Sequence, residues 1–149
     1  FEPHYHRTVC FKFWDASLLV DDQTRVKLQF WDAAEDIWKI EPMVRSFTPE
    51  ASCVLVFFDT TARSSFEHLP KWLGVAEEYA RPGRRISIIG TKADLVDECT
   101  VSEEEAAAFA ATRGLTYHGL SAKTGANVEA YFYDKCSALV DLMESARGY

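Results

Sequence analysis

Two uninterrupted apolar runs constrain this chain more than anything else in it: Ser52-Cys53-Val54-Leu55-Val56-Phe57-Phe58, closed by Asp59, and Ile86-Ser87-Ile88-Ile89, closed by Gly90. A strand with one wet face alternates apolar and polar residues, whereas a run without alternation suits a strand covered on both faces, the usual state in parallel sheets. Between the runs, Phe66, Leu69, Trp72, Leu73 and Ala76 recur at helical spacing, and Arg81-Pro82-Gly83 stops the pattern. An amphipathic helix joining two doubly buried strands is the crossover unit of an α/β fold.

The flanking segments extend that unit. Val9 to Val20 and Val26 to Trp31 are rich in Val, Phe, Trp and Leu and are separated by Asp21-Asp22-Gln23-Thr24, which predicts a hairpin with a polar turn. Trp38 to Phe47, interrupted by Pro42, predicts a short helix beginning near the proline. Ser102-Glu103-Glu104-Glu105 is a capping box with three carboxylates at the positive end of a helix that should run to about Arg113 and stop at Gly114. Leu115 to Leu120 predicts a final strand, and Val128, Phe132, Cys136, Leu139, Val140 and Met143 mark a last helix. The order β-β-α-β-α-β-α-β-α predicts a doubly wound, mostly parallel sheet flanked by helices.

A chain of 149 residues, 48% hydrophobic, reads as a single domain over 1–149, burying roughly two thirds of its unfolded surface. The formal charge of -7 argues against nucleic acid as a partner, because such proteins carry a basic stripe against phosphates. Cys10, Cys53, Cys99 and Cys136 form no C-x-x-C pair, which favours a reducing, intracellular setting. Neither a run of membrane-spanning length nor a signal peptide is present, and the sequence ends Ser145-Ala146-Arg147-Gly148-Tyr149 without a prenylation cysteine. The expectation is a protein at the cytoplasmic face, reaching a membrane only through an anchor or partner outside these residues.

Ligands of open α/β sheets bind at the carboxyl ends of the strands. Four polar clusters fall there: Trp31-Asp32, Asp59-Thr60, Thr91-Lys92-Ala93-Asp94 and Ser121-Ala122-Lys123. Each alone reads as a solvated loop. In this order and spacing, however, Lys27-Leu28-Gln29-Phe30-Trp31-Asp32, Thr91-Lys92-Ala93-Asp94-Leu95 and Ser121-Ala122-Lys123 resemble three consecutive signature elements of small GTPases of the Ras superfamily, closest to the Rab branch. The similarity spans nearly the whole chain, from a switch-I-like Tyr5-His6-Arg7-Thr8 to the last helix, and implies the P-loop-NTPase-like fold of that superfamily.

The resemblance implies GTP or GDP as ligand, with Thr91, Lys92, Asp94, Ser121, Ala122 and Lys123 at the guanine. Two carboxylate oxygens on Asp94 would accept guanine N1-H and N2-H2 together, a contact adenine cannot complete. The Lys92 stem would lie along the base, the Ala122 backbone N-H would meet O6, and Lys123 would cover the other side. Thr91 stands where most Rab relatives carry asparagine. For Mg2+, the resemblance points to Thr8 and Asp32.

The phosphate side departs from the family. A P-loop needs G-x-x-x-x-G-K-[ST] between a strand and a helix, and the seven glycines give no such pattern. The family's Asp-x-x-Gly-Gln reads Asp32-Ala33-Ala34-Glu35-Asp36 here. Glu35, at the glycine position, sets a negative charge toward the γ-phosphate, at about 4 kcal/mol per unit pair ~4 Å apart with an effective dielectric of about 20. Asp36, at the position of the catalytic glutamine, lacks the amide that both donates and accepts in orienting water. Hydrolysis is therefore expected to be impaired. Cys10 stands where glycine is usual two positions after the switch-I threonine. His4 and His6 flank Tyr5 but are assigned no metal, and Trp14, Trp31 and Trp38 are read as partly buried core, with an effector-binding patch as the alternative.

Three readings stay open at this stage. The leading one is a degenerate Rab-like module that works through protein partners in trafficking or a multiprotein assembly. The second is a working, slowly hydrolysing switch whose P-loop lies upstream of Phe1, and the third a purely structural subunit. In the family fold a strand sits between the hairpin and the Ser52 to Phe58 strand. Orphaned backbone groups cost about 1 to 3 kcal/mol each against a domain stability of about 5 to 15 kcal/mol, so a strand and a helix are expected to complete the core, supplied from upstream of Phe1 or, as the alternative, by a partner chain.

Overall fold

The computed structural model describes residues 8, 11–34, 50–80 and 84–147. They divide between two compact units, one within 38–127 and the other drawn from 2–37 and 128–149. The segment expected as a helix from Trp38 to Phe47 lies outside the described residues, as do Cys10, Glu35, Asp36 and the residues around His4 and His6.

In the second unit, β1 (Phe11–Leu19) and β2 (Arg25–Ala33) form the expected antiparallel hairpin, with Phe13 opposite Trp31 and Trp14 opposite Phe30. The turn is closed by chemistry legible in the sequence. The Asp21 carboxylate accepts the backbone N-H groups of Gln23 and Thr24 at 2.8 and 2.7 Å, and Val20 N-H donates to Thr24 O at 2.9 Å. Helix α4 (Val128–Arg147) packs on this hairpin. Phe132 meets Phe30 edge-on with ring centroids 5.3 Å apart, and the Tyr133 hydroxyl donates to Val20 O at 2.8 Å. Cys136 on α4 is fully buried, and burial pushes its thiol pKa up, so it behaves as a small core hydrophobe.

The first unit is a parallel sheet in the order β3-β4-β5, formed by β3 (Cys53–Asp59), β4 (Arg85–Thr91) and β5 (Thr116–Gly119). Val56 and Phe58 of β3 and Ile88 of β4 pack against Phe66, Leu69, Leu73, Ala76, Ala106 and Ala110 from the helices, which makes the core of this unit. Phe57, on the other side of the pleat, is 53% exposed, so β3 alternates toward its end rather than being covered on both faces as its apolar run predicts. Among the described residues the only ladder partner of β2 is β1, and that of β3 is β4.

The helical pattern after β3 resolves into two pieces, α1 (Arg63–Glu67) and α2 (Leu69–Tyr79), where the periodicity predicts one. The break at His68 has a cause in the next residue but one. Pro70 has no N-H to donate to Phe66 O, so it opens a new helix instead of continuing the first. Helix α3 (Glu103–Ala111) starts as its capping sequence predicts, with Ser102 Oγ accepting Glu105 N-H at 3.1 Å. The reciprocal half of the capping box is taken elsewhere: the Glu105 carboxylate forms a two-pronged contact with Arg63, at 2.7 and 2.6 Å. Gly114 follows at φ +66, the left-handed conformation its helix-stop role requires.

Candidate functional site

The carboxyl ends of β3, β4 and β5 carry three short polar segments, and hydrogen bonds stitch them into one surface. Leu120 N-H donates to Gly90 O at 2.8 Å and Ala93 N-H to Leu120 O at 3.1 Å, so the loop after β4 is laced to the loop after β5. Thr60 ties the same ends from the β3 side. It is almost fully buried, its hydroxyl donates to Thr91 O at 2.9 Å, and its carbonyl accepts the N-H groups of Thr100 and Val101. The Thr91 hydroxyl runs the other way, to Phe58 O at 3.0 Å. Thr91, expected at the base, is thus committed to bracing the β3 and β4 ends.

On that brace sit the residues that face outward. The Ser121 hydroxyl donates to the Asp94 carboxylate, the leading reason that the Asp94 pKa lies below the usual carboxylate range, and Lys123 adds a smaller effect in the same direction. Ser121 itself is fully buried and its oxygen also accepts Thr124 N-H at 3.1 Å, so its direction is fixed from both sides. Asp94 is half-buried, whereas Ala122 and Lys123 are exposed. The loop that carries them is locked by Ser121 N-H to Ala126 O, Gly125 N-H to Ser121 O, and Asn127 Nδ2 to Gly119 O at 3.0 Å. Gly125 and Asn127 both take positive φ, which lets the loop turn back on itself.

Lys92 is the unusual member. Its backbone is left-handed at φ +60, and its ammonium lies 2.6 Å from Asp59 Oδ2. The other Asp59 oxygen accepts Thr61 N-H at 2.9 Å and the Thr61 hydroxyl at 2.7 Å. Burial raises the Asp59 pKa, but the contacts from Lys92 and Thr61 outweigh it and leave the carboxyl below its ordinary value. The sequence places Asp59 at a strand end without giving it a role. A signal was nonetheless present, since Asp59 closes β3 opposite Thr91 in the parallel register and so stands next to Lys92.

Within the second unit, Thr8 Oγ1 donates to Asp32 Oδ2 at 2.9 Å. The contact is an ordinary hydroxyl–carboxylate hydrogen bond between oxygens of the hard type that Mg2+ takes, and Asp32 would hold a water on the ion, as the resemblance implies. The residue types are thus compatible with the cation, with Thr8 as the side chain that would hold it. The guanine fit rests on different chemistry: a charged acceptor, aimed by a buried hydroxyl and open to solvent, matches paired N-H donors.

Of the residues expected in the nucleotide site, Thr91, Lys92, Asp94, Ser121, Ala122 and Lys123 lie together on this one surface of the first unit, while Thr8 and Asp32 meet each other in the second. A Ras family model matches residues 1–141. With the order of the signature elements, the parallel sheet and the polar surface at its carboxyl edge agreeing with that match across nearly the full length, the chain belongs to the Ras family of small GTPases.

Proposed function

We propose that this chain is a Rab-like, guanine-recognising module that acts through protein partners in trafficking or a multiprotein assembly, with GTP hydrolysis impaired or lost. The observation that carries the guanine half is the Asp94 carboxylate held by the buried Ser121 hydroxyl and still half-open to solvent. Adenine offers an acceptor where guanine offers N1-H, so adenine would leave that charge without its donors. The partner half is supported by the hairpin. Phe13 and Trp31 stack edge-on at 5.0 Å and stand 47% exposed each, with Trp14 at 52%, so these aromatics form surface rather than the core expected of the tryptophans. Aromatics in such a position suit a protein contact. Placement at the cytoplasmic face, with any membrane contact made through an anchor or a partner, belongs to the same reading.

Competition calorimetry with GDP and ADP tests it. GDP is expected to bind more tightly than ADP, with the preference abolished in Asp94→Ala. Equal affinities, or GDP binding untouched by Asp94→Ala, would refute the guanine assignment. A second reading, a working switch that holds GTP and Mg2+ and hydrolyses slowly, is favoured by the Thr8-Asp32 contact, because that pair retains the oxygens a cation needs.

A further inference from the structure

Resting on the guanine reading, we propose that Asp59 is a positioning residue for Lys92: it grips the ammonium so that the lysine stem is already extended as one wall of the base site before nucleotide arrives. The geometry is specific. Asp59 Oδ2 holds Lys92 Nζ at 2.6 Å, while Asp59 Oδ1 is held by both the N-H and the hydroxyl of Thr61, so the carboxylate cannot swing away. The lysine backbone is equally constrained, sitting at φ +60 with Leu95 N-H on its carbonyl at 3.0 Å, and it follows a strand end pinned by Thr60 and Thr91. A lysine side chain is ordinarily among the most mobile on a protein surface, and ordering it on binding weakens affinity. Here both of its ends are fixed in advance. The pKa of Asp59, held below its ordinary value by Lys92 and Thr61, keeps the carboxylate charged, and thus gripping, throughout the neutral range.

The test is a double-mutant cycle read by GDP calorimetry, with ADP as control and the thermal midpoint of each variant as a check on folding. Asp59→Asn removes the grip and leaves the lysine. Lys92→Met removes the ammonium and leaves an unbranched apolar stem. Each is expected to weaken GDP by about three- to tenfold, and the double variant is expected to be no weaker than either single one, because the two changes cut the same interaction. Losses that multiply in the double variant, or GDP affinity at wild-type level in Asp59→Asn, would overturn the proposal. Should Asp59→Asn fold poorly, Lys92→Met alone decides: undiminished GDP affinity with the ammonium gone also overturns it. Failure of the guanine reading is distinguishable, since it shows in the wild-type chain as equal affinity for GDP and ADP.

Discussion

At the scale of single residues, two carboxylates at the carboxyl edge of the parallel sheet are each held by a neighbouring hydroxyl. Asp94 is aimed by Ser121 and Asp59 by Thr61, and in both cases the partner's hydrogen bonds favour the charged form. Ser121→Ala should therefore raise the Asp94 pKa toward its ordinary value and weaken GDP binding, and a carboxyl NMR titration of Asp94 reads the shift directly. An unmoved Asp94 titration in that variant would show that Ser121 plays no part in holding it. The sign of the pH dependence follows from the same contacts. A carboxyl whose pKa is lower in the folded than the unfolded chain stabilises the fold fully above the unfolded value and loses that stabilisation as pH falls through the folded one. Asp59 and Asp94 should thus leave stability flat through the neutral range and contribute to its loss only in acid, below the usual carboxylate pKa. Thermal midpoints across that range check the direction, and a rise in stability on acidification would contradict it. That Asp94 shares one loop surface with Lys92 and Ser121 was expected from the order of the signature elements. The Asp59 grip was not, because it depends on the parallel register that sets Asp59 beside Thr91, which no local pattern encodes.

Among the elements, the tightest constraint lies between β4 and β5, where Tyr117 crosses over two glycines. A Cβ on Gly90 would come within 2.6 Å of the Tyr117 hydroxyl oxygen and 3.0 Å of Thr60 Cγ2. Gly90→Ala is accordingly expected to destabilise the domain by about 1 to 3 kcal/mol, measured by denaturant unfolding. The companion change Tyr117→Phe, which removes the hydroxyl, should recover part of the loss, and no recovery would point to the Thr60 methyl as the obstacle instead. Because Thr60 also braces the loop before Lys92, the Gly90 variant should weaken GDP as well. The elements themselves were largely readable. Continuous apolar runs pointed to β3 and β4, two segments rich in Val, Phe, Trp and Leu on either side of Asp21-Asp22-Gln23-Thr24 pointed to the hairpin, and Ser102 marked the start of α3. The departures share a cause, which is competition from groups distant in sequence or lost donors that periodicity ignores. Glu105 leaves its capping box for the guanidinium of Arg63, forty-two residues away in the chain, and Pro70 interrupts a helix whose apolar spacing continues through it. Phe57 is apolar yet half-exposed, since hydrophobicity alone does not say which side of a strand is covered.

For the whole molecule, the question is whether base recognition and phosphate chemistry have been kept together. The surface at the carboxyl edge of the parallel sheet carries the Asp94, Lys92 and Ser121 side chains on which the proposed guanine contact rests, and Thr8 meets Asp32 in the other unit. The switch-II segment is different in kind: Glu35 and Asp36 put two carboxylates where the family pattern has a glycine and a glutamine. GTP carries about one more negative charge than GDP and extends it to the γ position that these residues would face, so acidic neighbours should weaken GTP more than GDP, and a carboxylate in place of the amide should leave the attacking water poorly oriented. Two consequences are expected together. Single-turnover phosphate release should proceed at or below roughly 10⁻⁴ per second, the slow intrinsic scale of such enzymes, and GDP should be preferred to GTP. The double change Glu35→Gly with Asp36→Gln restores both residue types and should shift the preference back toward GTP, while Glu35→Gly alone should restore GTP affinity without restoring turnover, because only the glutamine orients water. A wild-type rate well above that scale would show that the acidic pair positions water by another route and would favour the working switch over the impaired module. Recovery of GTP preference without recovery of turnover in the double variant would place the remaining defect in the phosphate cradle rather than in switch II.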